Sequence, residues 1–167
     1  MKIKDRPEYD SKPKPVTFLR DDLVSDAIEV MSNGNFGSVV IMEKDNSIAG
    51  IVTERDLMRR LLFHKKNPEK TPLSEIMTAE VRVAKEDDNL IDWLRIMSNE
   101  RFRHLPVVDE DGKLVNMMSQ GDFVSYTWPE LFSRIKENTA ATFGSTYQII
   151  LIIFGILLYS LAIVFFT

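Results

Sequence analysis

The hydrophobic and polar positions of the chain first predict a helix followed by two strands. Between Leu23 and Met31, apolar residues recur every three to four positions, the spacing of an amphipathic helix. The sequence NGNFG then ends this periodicity. Two short apolar runs follow, Ser38–Met42 and Ser47–Thr53, and the turn sequence EKDN separates them, so both are predicted to be strands. A further helix is predicted after Thr53, with apolar residues on one side at Leu57, Met58, Leu61 and Leu62.

The second half of the chain repeats this order of elements. It predicts a helix over residues 90–97, a strand over 105–109, a turn at 109–112, a strand over 113–119 and another helix. A short extended segment precedes each half, PVTF at residues 15–18 and VRVA at residues 81–84, and each is predicted to add one strand.

The two halves are copies of one unit. MSNGNF begins at Met31 and MSNERF begins at Met97, and the separation of these two methionines defines the repeat offset. The alignment at this offset needs no gap between residues 21 and 58. It also aligns the Asp-Asp pairs at 21–22 and 87–88, which are expected to cap the helices that follow them. The chain therefore contains a duplicated supersecondary unit.

The residues Ile149–Phe166 form a run of 18 positions without a charged side chain. As an α-helix this run is about 27 Å long, close to the hydrocarbon thickness of a bilayer. It predicts a transmembrane helix, and because only Thr167 follows, an anchor at the end of the chain. Arg134 and Lys136 before the run favour a cytoplasmic location for the preceding part. A helix buried in a soluble oligomer is the alternative, but a helix that is apolar on every face needs many partners.

Composition narrows the function. The formal net charge is −4 at pH 7, which argues against binding to a nucleic-acid backbone. The chain has no cysteine, which excludes disulfides, thiolate metal sites and cysteine nucleophiles. No P-loop, metal-ligand spacing or nucleophile–base–acid set stands out. The sequence therefore predicts a protein that is not an enzyme and that carries no cofactor and no metal.

In each half, the second strand ends on a hydroxyl that a carboxylate follows three residues later. The pairs are Thr53 with Asp56 and Ser119 with Asp122. One interpretation is structural, because such a pair forms a capping box at the start of a helix. The other is a ligand site, because a helix N-terminus attracts an anion and a carboxylate accepts hydrogen bonds from both hydroxyls of a ribose. The two interpretations are compatible, and the residues alone leave both open.

These sequences resemble the tandem CBS-domain pair, also called a Bateman module. GIVTERDLMRR, starting at Gly50, is similar to the end of a family repeat, and FRHLPVVDEDGKLV, starting at Phe102, is similar to its second-copy strand and turn. PLSEIMT, starting at Pro72, resembles the entry into a second repeat, and the match covers about residues 10–135. The resemblance implies an α/β (α+β) fold of two βαββα repeats about a pseudo-two-fold axis. Two clefts between the repeats would then hold an adenosine-containing ligand such as AMP, ADP or ATP.

The resemblance also implies which residues bind the ligand. The ribose-binding carboxylate maps onto Asp56 and Asp122, its accompanying hydroxyl onto Thr53 and Ser119, and the basic residues that meet a phosphate onto Arg103 and His104. These six residues are the predicted site.

The two clefts are not expected to be equal. Asn116 stands where the first repeat has Gly50, and its side chain is expected to narrow the second cleft. The first repeat has Gly37 and Ser38 where the second has its two basic residues.

The predicted organisation is an N-terminal polar segment (1–9), a first CBS domain (10–66), a second with its entry linker (67–135), a juxtamembrane linker (136–147) and a transmembrane helix (148–167). The predicted function is a membrane-anchored regulatory or sensor module that binds an adenine nucleotide and signals to an unidentified membrane protein. A homodimer is expected through the apolar residues of DLMRRLLF and DFVSYTWPELF. The alternatives are a ligand-free interaction scaffold and an accessory subunit of a transporter.

Overall fold

A computed structural model describes residues 1–6, 9–123 and 149–157 of the chain. The chain divides into two compact units, Met1–Phe123 and Val124–Thr167. The first unit contains both copies of the duplicated sequence, and the second contains the C-terminal apolar run.

The first repeat builds a three-stranded sheet with one helix between its first two strands. Its elements are β1 (Thr17–Leu19), α1 (Val24–Gly34), β2 (Ser38–Met42) and β3 (Ile48–Thr53). Strand β1 pairs in parallel with β2, and β2 pairs antiparallel with β3. A short helix α2 (Glu54–Asp56) follows and continues as a π-helical turn over Leu57–Leu62. The helix and strands predicted from the apolar pattern are thus confirmed, with shifts of one or two residues at some ends.

The second repeat has the same architecture. Its elements are β4 (Ala84–Lys85), α3 (Leu90–Glu100), β5 (His104–Val108) and β6 (Leu114–Ser119), and the strand order is β4-β5-β6. Residues 120–123 begin the helix predicted after β6. A short 3₁₀ helix, Leu73–Glu75, lies in the linker between the repeats. The predicted α+β fold with two repeats is therefore confirmed.

The duplication extends to strand register. Phe18 lies opposite Ile41 in the first sheet, and Ala84 lies opposite Val107 in the second. Ala84 is the repeat equivalent of Phe18, and Val107 is the repeat equivalent of Ile41. Both major helices also end on a left-handed residue at the same repeat position, Asn35 with φ 53° and Arg101 with φ 59°.

The predicted acidic N-caps are wrong. The residue that caps α1 is Leu23, which makes no side-chain cap, and α3 is capped by Asn89, whose Oδ1 accepts from the backbone N–H of Ile91 at 2.9 Å. The aspartates instead accept hydrogen bonds from the end of the preceding strand, Asp22 from Leu19 N at 2.7 Å and Asp88 from Lys85 N at 2.9 Å. They fix the turn that enters each helix rather than the helix itself.

The core of the first repeat lies between α1, its sheet and the linker. The fully buried side chains include Val24 and Ala27 on α1, Val39 and Ile41 on β2, Val52 on β3, and Leu73 and Ile76 in the linker. The linker therefore completes the core of the first repeat, and that packing fixes its position beside β3.

The apolar residues predicted to share one side of the helix after Thr53 are only partly buried in the structure. Leu61 is buried, whereas Met58 and Leu62 are 62% and 58% exposed. The reason is that the backbone N–H of Phe63 bonds to the carbonyl of Met58, five residues earlier, so α-helical spacing does not apply.

Residues 149–157 are helical, and their large apolar side chains are each more than half exposed. Within the described ranges, no helix is both long enough and apolar enough to cross a membrane. The remainder of the predicted span (158–166), the juxtamembrane linker (136–147) and most of the dimer segment DFVSYTWPELF lie outside the described residues.

Candidate functional site

Thr53 stands at the junction of β3 and α2 and forms a capping box with Asp56. Its Oγ1 accepts from the backbone N–H of Asp56 at 3.4 Å. The carboxylate oxygen Oδ2 of Asp56 accepts from the Thr53 backbone N–H at 3.0 Å and from its hydroxyl at 2.6 Å. The pair therefore satisfies two backbone donors at the start of the helix, as the structural interpretation predicts.

Ser119 and Asp122 repeat this arrangement at the end of β6. Oδ2 of Asp122 accepts from the Ser119 backbone N–H at 2.7 Å and from its hydroxyl at 2.8 Å, and Asp122 N donates back to Ser119 Oγ at 3.2 Å. The capping interpretation is confirmed at both junctions.

A residue from the linker contacts the first pair. Thr78 exchanges two backbone hydrogen bonds with Ile51 on β3, at 3.0 and 2.9 Å, and its hydroxyl donates to Oδ1 of Asp56 at 3.1 Å. The Arg60 guanidinium lies 3.6 Å from the same oxygen. Sequence reasoning missed Thr78, although it ends the segment PLSEIMT that the family resemblance singled out.

A cavity of about 610 Å³ opens beside this pair and is lined by both repeats. Thr53 and Asp56 contribute from the first repeat, and Arg103 and His104 contribute from the second. The structure therefore brings four of the six predicted site residues together at one cavity. Its volume lies within the range of small-molecule sites.

Gly37 makes room for the histidine at this cavity. A Cβ atom built on Gly37 would lie 2.9 Å from Cε1 of His104, closer than side-chain atoms normally approach. The imidazole thus packs against the backbone of Gly37 in the first repeat. Gly37 is the repeat equivalent of Arg103. Because both sides of this contact line the cavity, it joins the two repeats there.

The cavity has mixed charge. Four carboxylates and three guanidinium groups line it: Glu54, Asp56, Glu80 and Glu100, with Arg55, Arg82 and Arg103. Arg82 and Glu100 neutralise each other through two hydrogen bonds of 2.9 Å. The cavity therefore has no excess of positive charge.

The environment of His104 disfavours its charged form. Burial lowers the pKa of His104, and nearby Arg103 and Lys12 lower it further, while Glu54 and Asp122 oppose that shift. At neutral pH the side chain is thus an uncharged imidazole with one N–H donor and one acceptor.

The second predicted pair is closed by the N-terminal segment. The ammonium of Lys12 forms an ion pair with Oδ2 of Asp122 and donates to the carbonyl of Met117 at 2.9 Å. The Asn116 side chain, which is buried, donates to the carbonyl of Tyr9 at 2.8 Å. Burial acts to raise the pKa of Asp122, but the hydrogen bonds from Lys12 and Ser119 outweigh it and lower the pKa.

A family model for the CBS domain matches residues 8–63 and 73–128, which correspond to the two repeats. The chain belongs to the CBS-domain family. A protein with CBS domains from Burkholderia ambifaria, whose structure is solved, is 34% identical, with a TM-score of 0.66 over 75% of this chain and 89% of that one. The chain spans a little over half the length of the curated relatives it matches. It covers 58% of one relative, to which it is 34% identical, and 52% of another, to which it is 32% identical.

Two solved CBS proteins contain adenosine compounds. The CBS pair of protein MJ0100 is in complex with methylthioadenosine and S-adenosylmethionine; it is 25% identical, with a TM-score of 0.66 over 78% of this chain and 98% of that one. A CBS protein from Pyrobaculum aerophilum is complexed with AMP. It is 19% identical, with a TM-score of 0.64 over 73% of this chain and 89% of that one, so it shares the fold alone.

The depressed pKa of His104 predicts a pH dependence of stability. The unfolded chain binds a proton at His104 near pH 6.5, whereas the folded chain binds it only at lower pH. The stability from this residue is therefore present above about pH 6.5 and is lost as the pH falls through the folded pKa. We expect an NMR titration of the imidazole to have its midpoint below 6.5, and His104→Gln to weaken the loss of melting temperature between pH 7 and 5. A midpoint above 6.5 would contradict this description of the cavity.

Proposed function

We propose that this CBS pair is a regulatory module that binds an adenosine-containing ligand in the cavity bounded by Thr53, Asp56, Arg103 and His104. The observation that carries the proposal is that a buried carboxylate from one repeat and basic side chains from the other meet at one cavity of about 610 Å³. The adenosine compounds bound to solved CBS proteins support the same ligand class.

The buried carboxylate is the group suited to the ribose. Asp56 is 8% exposed, and its Oδ1 receives the hydroxyl of Thr78, while Oδ2 is used by the capping box. A carboxylate has about four acceptor positions, so Oδ1 can accept a further hydroxyl. At a buried site such a charge-assisted hydrogen bond is roughly twice as strong as a neutral one.

The charge of the cavity favours a ligand with few phosphates. Four carboxylates face three guanidinium groups, so a triphosphate would meet more like charge than opposite charge. Arg103 can pair with one phosphate, and the acidic groups can accept a cationic ligand. AMP and S-adenosylmethionine are therefore better matches to this site than ATP.

A ligand in this position acts through the packing of the two repeats. The ligand would contact Asp56 on one repeat and Arg103 on the other. It therefore stabilises the arrangement of the two repeats that holds both residues at bonding distance. The shift in the equilibrium between arrangements equals the difference in the ligand's binding free energy for them. We propose that a membrane-associated partner detects this shift.

The rival function is a ligand-free interaction scaffold. It is favoured by the two capping boxes, which satisfy Thr53, Asp56, Ser119 and Asp122 without any ligand. The scaffold predicts no effect of adenosine compounds on the chain, and the binding experiment below separates the two functions.

The Asp56→Asn substitution tests the proposed ligand site. It keeps the shape of the side chain but removes a charge-assisted hydrogen bond, which contributes about 1.5–3 kcal/mol. We expect the dissociation constant of AMP or S-adenosylmethionine to rise at least about tenfold in equilibrium dialysis with the full chain.

Because Asp56 also caps α2, Arg103→Met provides a second variant without that structural role. Asp92→Asn, on the exposed face of α3, is the matched control and should leave binding unchanged. No binding of either compound to the unsubstituted chain would leave the scaffold as the function, and equal binding in all variants would refute the proposed site.

We also propose that the apolar residues Ile149–Phe166 attach the module to a membrane. The support is the exposed apolar surface of helical residues 149–157 together with the uncharged sequence that follows. Surfaces of this kind on soluble proteins are uncommon and mark contacts with lipid or with another protein.

Lysine in this segment tests the membrane contact. Each lysine at the centre of a spanning helix costs about 2.5–3.5 kcal/mol on the insertion scale. We expect the full chain to float with phospholipid vesicles in a density gradient, and the double variant Ile152→Lys, Phe154→Lys to remain at the bottom. Ile91→Lys, at an exposed position of α3, is the control. Equal flotation of both variants would refute the attachment.

We propose a homodimer through the exposed apolar side chains that follow α2. Met58, Leu62 and Phe63 are 62%, 58% and 79% exposed, so they form an uncovered apolar surface. We expect sedimentation equilibrium in density-matched detergent to give the mass of two chains, and Phe63→Lys to shift it toward one. The mass of one chain for the unsubstituted protein would exclude the dimer.

A further inference from the structure

The segments that precede the two sheets occupy equivalent positions. Lys12 and Thr78 are separated by the same repeat offset as Met31 and Met97, and the strands that follow them, β1 and β4, keep that offset in their pairing. Each segment contacts the other repeat. Thr78, which leads into the second sheet, bonds to Asp56 of the first repeat. Lys12, which leads into the first sheet, pairs with Asp122 of the second repeat.

The two residues contact equivalent positions of the other repeat through different groups. Thr78 bonds to the backbone of Ile51 through its own backbone, whereas Lys12 bonds through its ammonium to the carbonyl of Met117, the equivalent of Ile51 in the second repeat. The Thr78 hydroxyl also donates to Oδ1 of Asp56, and the Lys12 ammonium also donates to Oδ2 of Asp122. Equivalent chain positions thus bring a short neutral hydroxyl to one carboxylate and a long cationic side chain to the other.

Asn116 explains why the N-terminal segment contacts the second repeat through the long side chain of Lys12. At the equivalent Gly50, a Cβ atom would lie 2.9 Å from the carbonyl oxygen of Thr78, so only glycine permits that close backbone pairing. Asn116 instead bonds to the N-terminal segment through its side chain, with Nδ2 donating to the carbonyl of Tyr9 at 2.8 Å. Its Oδ1 accepts from the backbone N–H of Met117.

The ammonium group pairs with the carboxylate that a ribose would need, at the oxygen that also accepts from the cap. Oδ2 of Asp122 already accepts from the backbone and hydroxyl of Ser119, and Lys12 adds a third, charged donor. The side chains of Lys12 and Asp122 are each 22% exposed, so water screens the pair only partly. A neutral ribose hydroxyl competes poorly with an ammonium for this carboxylate, because the charged donor makes the stronger hydrogen bond.

We propose that Lys12 is an internal occupant of the second cleft, which limits the CBS pair to one adenosine ligand per chain, and that replacing it by threonine opens a second site. The inference rests on the proposed function for the ligand class, but the contact that closes the cleft does not depend on it. The N-terminal segment thereby determines how many ligands the module responds to.

The experiment measures ligand stoichiometry in the full chain in detergent. AMP and S-adenosylmethionine are each used in equilibrium dialysis at saturation, with the unsubstituted chain, Lys12→Thr and Thr78→Lys. We expect one ligand per chain for the unsubstituted protein, two for Lys12→Thr, and none for Thr78→Lys, in which the first cleft receives the same cation. Ile91→Lys, with a new lysine on α3, should still bind one.

The outcomes separate this inference from the proposed function. If the unsubstituted chain binds two ligands, the role of Lys12 is overturned while the ligand function stands. The same conclusion follows if the unsubstituted chain and Lys12→Thr each bind one ligand. No ligand on the unsubstituted chain but one on Lys12→Thr would refute binding at the first cleft and support the role of Lys12. No binding to either would overturn both.

A measurement without ligand tests the closing contact directly. The carboxyl carbon of Asp122 is followed by NMR as the pH is lowered, in the unsubstituted chain and in Lys12→Thr. We expect a midpoint below the usual value of 3.8 in the unsubstituted chain and a higher midpoint in the variant, because the neighbouring cation is gone. Equal midpoints would show that Lys12 does not hold Asp122 in solution and would overturn the inference.

Discussion

The arrangement of this CBS pair depends on one reciprocal contact, in which the segment before each sheet crosses to the other repeat and bonds to its carboxylate. Thr78 reaches Asp56, and Lys12 reaches Asp122. Each carboxylate also caps the helix that follows it, so a single side chain links helix start, strand end and neighbouring repeat. Since these aspartates are largely removed from water, a lost partner leaves a costly unsatisfied charge. This constraint holds the two repeats in the relation that creates the cavity.

The same constraint reconciles capping with ligand binding. The hydroxyl–carboxylate pairs face their own backbone at both junctions, as capping requires, and the first pair also borders an open cavity with basic side chains from the other repeat. Capping holds Asp56 in a defined position before any ligand arrives, and such preorganisation lowers the cost of binding. At the second junction Lys12 already pairs with Oδ2 of the equivalent carboxylate, Asp122. Two junctions of common origin thus differ in the group that contacts the carboxylate, a hydroxyl from position 78 or an ammonium from position 12.

The sequence predicted the strands well because short apolar runs bounded by turn residues have few alternative structures. Ser38–Met42 is a strand with the predicted limits, and the repeat offset correctly anticipates the pairing of both sheets. The helix caps were wrong because an aspartate beside a turn has two backbone donors in reach, and Asp22 and Asp88 bond to the preceding strand instead. The π-helical turn after Asp56 follows from backbone hydrogen bonding that side-chain periodicity does not encode.

The closing of the second cleft was only partly predictable. The exchange of Gly50 for Asn116 indicated that the clefts differ, but the contact of Lys12 with Asp122 joins residues 110 positions apart. Extending the repeat offset to Lys12 and Thr78 would have revealed the change from hydroxyl to cation.

The most direct test of the account is a crystal structure of the chain grown with AMP. It predicts one adenosine moiety per chain, with its ribose on Asp56 and its phosphate toward Arg103, and Lys12 still on Asp122. An empty first cavity, or ligand bound only beside Asp122, would contradict it.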